Sequence, residues 1–176
     1  MNSRYFILWL TITPLISCQK DDSSLITEED TVGEESSITG VDPFLLEYFI
    51  SFEEAGKERG LEIDLSTANI TGSISEIQEE NVAGQCNYHP FQPNHVTIDK
   101  SFWNRSNYLY REMIVFHELG HCYLGRDHFE EAFQNGLCKS IMRSGTCCCR
   151  DAYTLKNRAY YLDELFGILE ATIVSN

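Results

Sequence analysis

Positive charge is scarce in this sequence. Thirteen Lys and Arg stand against 27 Asp and Glu, a formal net charge of −14 with neutral histidines. Residues 42–176 alone hold 11 basic and 20 acidic side chains, net −9. Phosphate recognition needs a basic patch, so this balance argues against a nucleic-acid binder. Long apolar runs are missing too. None reaches the roughly 20 residues of a spanning helix, so the body of the chain is expected to be soluble. There are no internal repeats, and no CxxC pair supports a thiolate metal site. The 135 residues after position 41 suit one domain with a real core and are too few for two.

The chain opens MNSRYFILWLTITPLISC. Arg4 supplies a positive n-region, and residues 5–12 form an apolar stretch too short to span a bilayer. Residues 1–17 therefore read as an export signal. The sequence Leu15-Ile16-Ser17-Cys18 resembles the lipobox of bacterial lipoproteins. That resemblance implies lipidation of Cys18 as the first mature residue and attachment to the outer membrane. The Gln19-Lys20-Asp21-Asp22 that follows is similar to the acidic export tag of some surface lipoproteins, which implies the cell surface; the periplasmic face is the alternative. Residues 18–41 form the lipidated cysteine and its tether. From 19 on they are polar, acidic and rich in Ser, Thr and Gly, with too little apolar area to offset their ordering entropy.

Residues 42–176 carry the domain. Asp42-Pro43 is an N-cap followed by proline at the first helical position. Leu45, Phe49, Phe52 and Ala55 recur at helical spacing, with Gly60 as the stop, so a helix is expected over 43–59. Segments 61–65, 71–77, 82–88 and 95–99 alternate like strands and are separated by turn residues. A long helix over 107–124 places Leu109, Met113, Phe116, Gly120 and Leu124 on one stripe. A last helix over 155–171 has Leu155, Leu162, Phe166 and Leu169 as apolar positions. Helix, small sheet, helix, irregular segment, helix is an α+β order.

His117 and His121 stand four apart on the long helix, so both imidazoles leave one face and can reach one zinc ion at about 2.0–2.1 Å. Glu118 is next to them, placed to touch a metal-bound water. Zinc brings such a water to a pKa of about 7, and a carboxylate can shuttle its proton. Catalytic zinc usually takes three protein ligands and keeps one position open. A third donor is therefore needed. Gly125 turns the chain and His128 follows three residues later. Fourteen residues further on stands Met142, the end of Ser140-Ile141-Met142.

From residues 113 to 143 the chain resembles the metzincin clan of zinc metallopeptidases, whose signature is HExxHxxGxxH followed by a methionine turn. The resemblance implies a small metzincin-like catalytic domain with His117, His121 and His128 as zinc ligands, Glu118 as general base and Met142 as the turn methionine. It further implies hydrolysis of peptide bonds, in peptide or protein substrates, by a zinc-bound water activated by Glu118. Strand 95–99 takes the place of the edge strand that aligns such substrates. One spacing departs from the signature, which here reads HExxHxxxGxxH. Counting from His121 puts Asp127 in the third-ligand position; counting from Gly125 puts His128 there. The glycine sets the direction of the returning chain, so His128 is favoured. Arg126, between them, either orients a carboxylate or pairs on the surface.

Other polar residues read more plainly. His89 and His95, beside Pro90 and Pro93, are expected on the surface, and Glu130 and Glu131 on a solvated face. Apart from Cys18, the cysteines are Cys86, Cys122, Cys138, Cys147, Cys148 and Cys149. Six in an exported chain suggest disulfides, with 15 possible pairings. Residues 19–41 hold no cysteine, so a cysteine-switch latency peptide has no thiol there. Two rivals to a peptidase stand: a non-catalytic surface binding lipoprotein with a structural zinc site, and a metal-dependent hydrolase acting on another bond. A structural site has no need of a base beside its ligands, which favours catalysis over the first. An edge strand that binds extended chains favours peptides over the second.

Overall fold

A computed structural model describes residues 38–145 and 149–169. The expected export signal, Cys18 and the expected tether up to residue 37 lie outside the described residues, as do Cys147, Cys148 and positions 170 and 171 of the expected last helix. The element order is α1 (Pro43–Lys57), β1 (Thr71–Ser75), β2 (Gly84–Asn87), β3 (His95–Asp99), α2 (Lys100–Arg105), α3 (Tyr108–Cys122) and α4 (Arg158–Leu165). Among the described residues the architecture is mixed α+β, with four helices and one small three-stranded sheet. No described helix is long and apolar enough to cross a membrane.

Helix α1 forms where capping and periodicity agree. The Asp42 carboxylate accepts the Phe44 N–H at 2.9 Å, and Pro43 presets the first helical φ. Leu45, Phe49 and Phe52 are fully buried beneath it. Gly72 of β1 lets α1 come close, since a Cβ there would sit 2.8 Å from the Phe49 ring. Phe52 meets Phe116 of α3 edge to face at 5.2 Å, which joins the two long helices through one core. The domain also begins earlier than expected. Ile38 is buried, Val41 bridges to Gly72, and Asp42 N–H donates to the Gly72 carbonyl at 2.8 Å, so 38–41 belong to the fold and not to the tether.

The sheet order is β1-β3-β2. β3 pairs in parallel with β1 and antiparallel with β2, so His95–Asp99 is the central strand and not the expected edge. The edge beside the long helix is β2. Segment 61–65 is no strand, because its backbone bonds to side chains: Leu65 N–H donates to Glu53 at 2.7 Å and Asp64 N–H to the Tyr123 hydroxyl at 3.1 Å. The short helix α2 is started by Asp99, whose carboxylate accepts the Phe102 N–H at 2.8 Å. Six residues are fewer than two turns, too few for apolar periodicity to reveal. The last helix is shorter than 155–171. Leu155 is 80% exposed, and Gly167, at φ +75°, takes the left-handed conformation just past the helix end.

Candidate metal centre

Helix α3 presents the site. Asn107 caps it by accepting the Tyr110 N–H at 2.9 Å, and its inner face buries Met113, Phe116 and Leu119. A buried charge fixes its first half. The Glu112 carboxylate accepts two bonds from Arg158, at 2.8 and 2.9 Å, and one from the Tyr153 hydroxyl at 2.7 Å. Burial of Glu112 is tolerable because both its oxygens are satisfied. Burial and the facing Glu112 both push the Tyr153 phenol upward, and the carboxylate raises Arg158.

The helix ends in a widened turn. Leu124 N–H donates to the Leu119 carbonyl five residues back, and Arg126 N–H to the Gly120 carbonyl six back at 3.0 Å. In the ordinary glycine-terminated helix that closing bond spans five residues. The one-residue excess between His121 and Gly125 is thus taken up inside the last turn. Gly125, at φ +65°, then turns the chain. The result brings His128, and not Asp127, to the other two histidines.

His117, His121 and His128 place one ring nitrogen each within 4.8 Å of one another. The His121 Nε2 lies 3.1 Å from His117 Nε2 and 3.3 Å from His128 Nε2. Three nitrogens at about 2.0–2.1 Å from one tetrahedral ion would stand about 3.3–3.4 Å apart. Two of the three rings are oriented from behind. His117 Nδ1 donates to the Ile141 carbonyl and His121 Nδ1 to the Arg126 carbonyl, both at 2.6 Å. A carbonyl only accepts, so the proton is on Nδ1 and the Nε2 lone pair is bare. Bare lone pairs facing each other at 3.1 Å repel unless a cation joins them, and this donor set suits one. Burial lowers His117 to about 4 and lowers His121 as well, which keeps both neutral and able to ligate. His117 is buried, His121 half-buried and His128 exposed, so the cluster opens outward on one side.

The irregular segment after the helix supplies the supports. Met142 is fully buried against Gly120, where a Cβ would come within 2.5 Å of its sulfur. Its carbonyl accepts the Phe129 N–H at 2.9 Å, next to His128. One tripeptide therefore orients His117 through Ile141 and seats the neighbour of His128 through Met142. Arg126 pairs with Glu164 at 2.6 Å and donates to the Glu164 and Leu165 carbonyls, which pins the loop to the end of α4. Glu130 pairs with Arg143 and Glu131 with Lys139.

Glu118 lies beside the histidines, 5% exposed. Burial pushes its carboxyl up to about 8; a cation held by the three imidazoles would draw it back down. Gly84 of β2 stands against it, and a Cβ there would fall 2.7 Å from a Glu118 oxygen. β2 and α3 enclose a cleft of about 620 Å³ whose walls include Gly84–Asn87, Glu118 and all three histidines. The outer edge of β2 has no strand partner among the described residues. The Tyr88 hydroxyl donates to the His121 carbonyl, and the Cys86–Cys122 disulfide ties the same strand to the end of α3. A second disulfide joins Cys138 to Cys149. His95 takes no part, since its ring bonds the Thr71 and Ser73 hydroxyls at 2.7 and 2.8 Å. His89 is exposed.

Gly84, Tyr88 and the β2 edge escaped the sequence reading. A glycine within a strand pattern is the signal that could have marked the first, because it signals close approach by another group. Compared with protein-family models, curated proteins and solved structures, the chain finds no match.

Proposed function

We propose that this chain is a zinc-dependent peptidase, metzincin-like in its site, exported and lipid-anchored through Cys18 at the outer membrane. The carrying observation is the set of three converging imidazoles, two of them held from behind by backbone carbonyls, with a buried glutamate beside them in an open cleft. His117, His121 and His128 would hold the ion. Zinc bound there supplies a Lewis acid for the scissile carbonyl and acidifies water. Glu118, facing the cleft, takes the proton from the attacking water and passes it to the leaving amine. The bare edge of β2 aligns an extended peptide by strand addition, and Gly84 lets Glu118 pack directly against that strand. A structural zinc site has no need of a carboxylate beside its ligands, so the buried Glu118 in the same cleft favours catalysis over a closed structural site.

The test is zinc stoichiometry together with hydrolysis of a mixed peptide library. Wild type should bind about one zinc and cleave; Glu118→Ala should keep the metal and lose activity by the roughly 10²–10⁴-fold that general-base catalysis contributes. His128→Ala should lose most zinc affinity, and Asp127→Ala should keep it. Zinc binding without cleavage of any peptide would favour the binding-lipoprotein reading.

A further inference from the structure

We propose that a second cavity, beyond the start of β2, is a subsite for a carboxylate of the peptide. The cavity measures about 510 Å³ and is lined by Val82, Ala83, Phe102, Arg105, Tyr110 and Arg150, together with Asn81. Its lining contains no acidic residue. It meets the metal cleft at Asn81, Val82 and Ala83, which line both.

The two arginines are what set it apart. Arg59, Arg126, Arg143 and Arg158 each pair with a carboxylate, and Arg111 lies over Trp103 and bonds its carbonyl. Arg105 and Arg150 have no carboxylate partner among the described residues, although acidic side chains outnumber basic ones two to one over the chain. Each is instead positioned by an aromatic ring: Arg105 stands 5.9 Å from the Phe102 centroid and Arg150 5.3 Å from that of Tyr110. The two rings are packed together at 4.6 Å. Stacking on a ring orients a guanidinium and leaves its N–H edge free for a carboxylate, which it can grip with two parallel bonds. On so acidic a surface, an anionic group is repelled elsewhere and drawn here.

The position fixes what part of a substrate arrives. Tyr110 precedes Glu118 by eight residues on the same helix, about 12 Å of axial rise. An extended peptide covers that in three or four residues at about 3.3 Å each. The subsite therefore takes an Asp or Glu side chain three or four residues from the scissile bond, or the terminal carboxylate of a peptide ending there. Its connection to cleavage rests on the peptidase reading; its affinity for carboxylate does not.

The experiment uses the full zinc-loaded chain and peptides that differ only by Glu or Gln at each position up to five residues from the cleaved bond, each with a free or an amidated C-terminus. Wild type should prefer the acidic peptide by about tenfold in kcat/KM, carried by KM, with the preference falling as salt rises. The Glu series and the terminus series distinguish the two carboxylate sources. In Arg105→Gln/Arg150→Gln the paired peptides should become equal, and the double Lys variant should keep part of the preference. Binding of the same peptides to the Glu118→Ala chain, read by fluorescence anisotropy, gives the answer without turnover. Arg-dependent binding with no cleavage would uphold the subsite while the peptidase reading falls. Cleavage with no acidic preference, or a preference that survives the double Gln variant, would overturn the subsite and leave the peptidase reading standing.

Discussion

The first half of the domain and the stretch from 123 to 157 are built by different means. In the first, α1 and the sheet bury Leu45, Phe49, Val96 and Ile98 completely, and backbone groups pair in regular ladders. The second has no helix or strand among its described residues, only an isolated bridge between Ala132 and Cys138. Yet it carries His128, Ile141 and Met142. It buries Ile141, Met142, Ala152 and Tyr153 in the core, and its course between them is set by discrete ties: the Cys138–Cys149 disulfide, the Arg126–Glu164 pair and the Phe129–Met142 backbone bond. The exposed Lys139–Glu131 and Arg143–Glu130 pairs add little, since such pairs are worth about 1 kcal/mol or less. Apolar burial gives stability without direction, whereas a few directed bonds can aim one carbonyl at one ring. Helix α3 presents His117, Glu118 and His121, and the irregular stretch completes the cluster with His128 and aims His117 through the Ile141 carbonyl.

The contrast can be broken from the apolar side first. Phe49 is fully buried over Gly72, far in sequence from every histidine. Phe49→Ala should cost about 3–5 kcal/mol by the usual cavity penalty. Denaturant unfolding would read that loss, while zinc stoichiometry below the transition should stay that of wild type. A variant that folds but binds no zinc would show that stability and site are not separable.

The irregular stretch should answer differently. Replacing Cys138 and Cys149 together by Ser removes a tie closing a loop of sequence separation 11 around Ile141 and Met142. A loop of that size is worth about 3 kcal/mol in the chain-entropy account. Because the Ile141 carbonyl orients His117, zinc affinity should also fall, by the roughly 10–100-fold typical of losing a bond behind a metal ligand. Competition with a chelator measures it. Unchanged affinity would mean that the α3 helix alone orients the ring.

What the sequence made legible follows the same division. Helices α1 and α3 could be read because their caps and apolar stripes lie within one stretch of chain. His117, Glu118 and His121 could be read because helical spacing alone sets their face. His128 needed the glycine as a ruler, and the widened turn that justifies it is a hydrogen-bond pattern with no local sequence sign. Strand order could not be read at all: nothing in His95–Asp99 says that it pairs on both sides, and its alternation would serve an edge equally well. The carbonyls behind the histidines belong to the backbone of Arg126 and Ile141, and residue type carries no trace of them.

The smallest effect sharpens the comparison inside the regular half, where one directed polar group starts a helix. Asp99 is nearly buried at the end of the central strand, and its carboxylate accepts from the Ser101 hydroxyl, Phe102 N–H and Ile77 N–H. The hydroxyl bond is the largest cause holding its carboxyl below the usual range, with burial opposing. A carboxyl whose folded value lies below its unfolded value of about 3.9 stabilises the fold fully above that value and loses the contribution as pH falls through the folded one. Asp99→Ala should cost about 0.5–2 kcal/mol at pH 7, as for other lost caps. Asp99→Asn keeps an acceptor oxygen without the charge and should cost less. Unfolding of the chelator-treated protein should show the gap between wild type and Asp99→Asn constant from pH 7 to about 5 and closing below about 4. A gap that stays open in acid would mean that Asp99 acts by shape and hydrogen bonding alone, and that its charge contributes nothing to the start of α2.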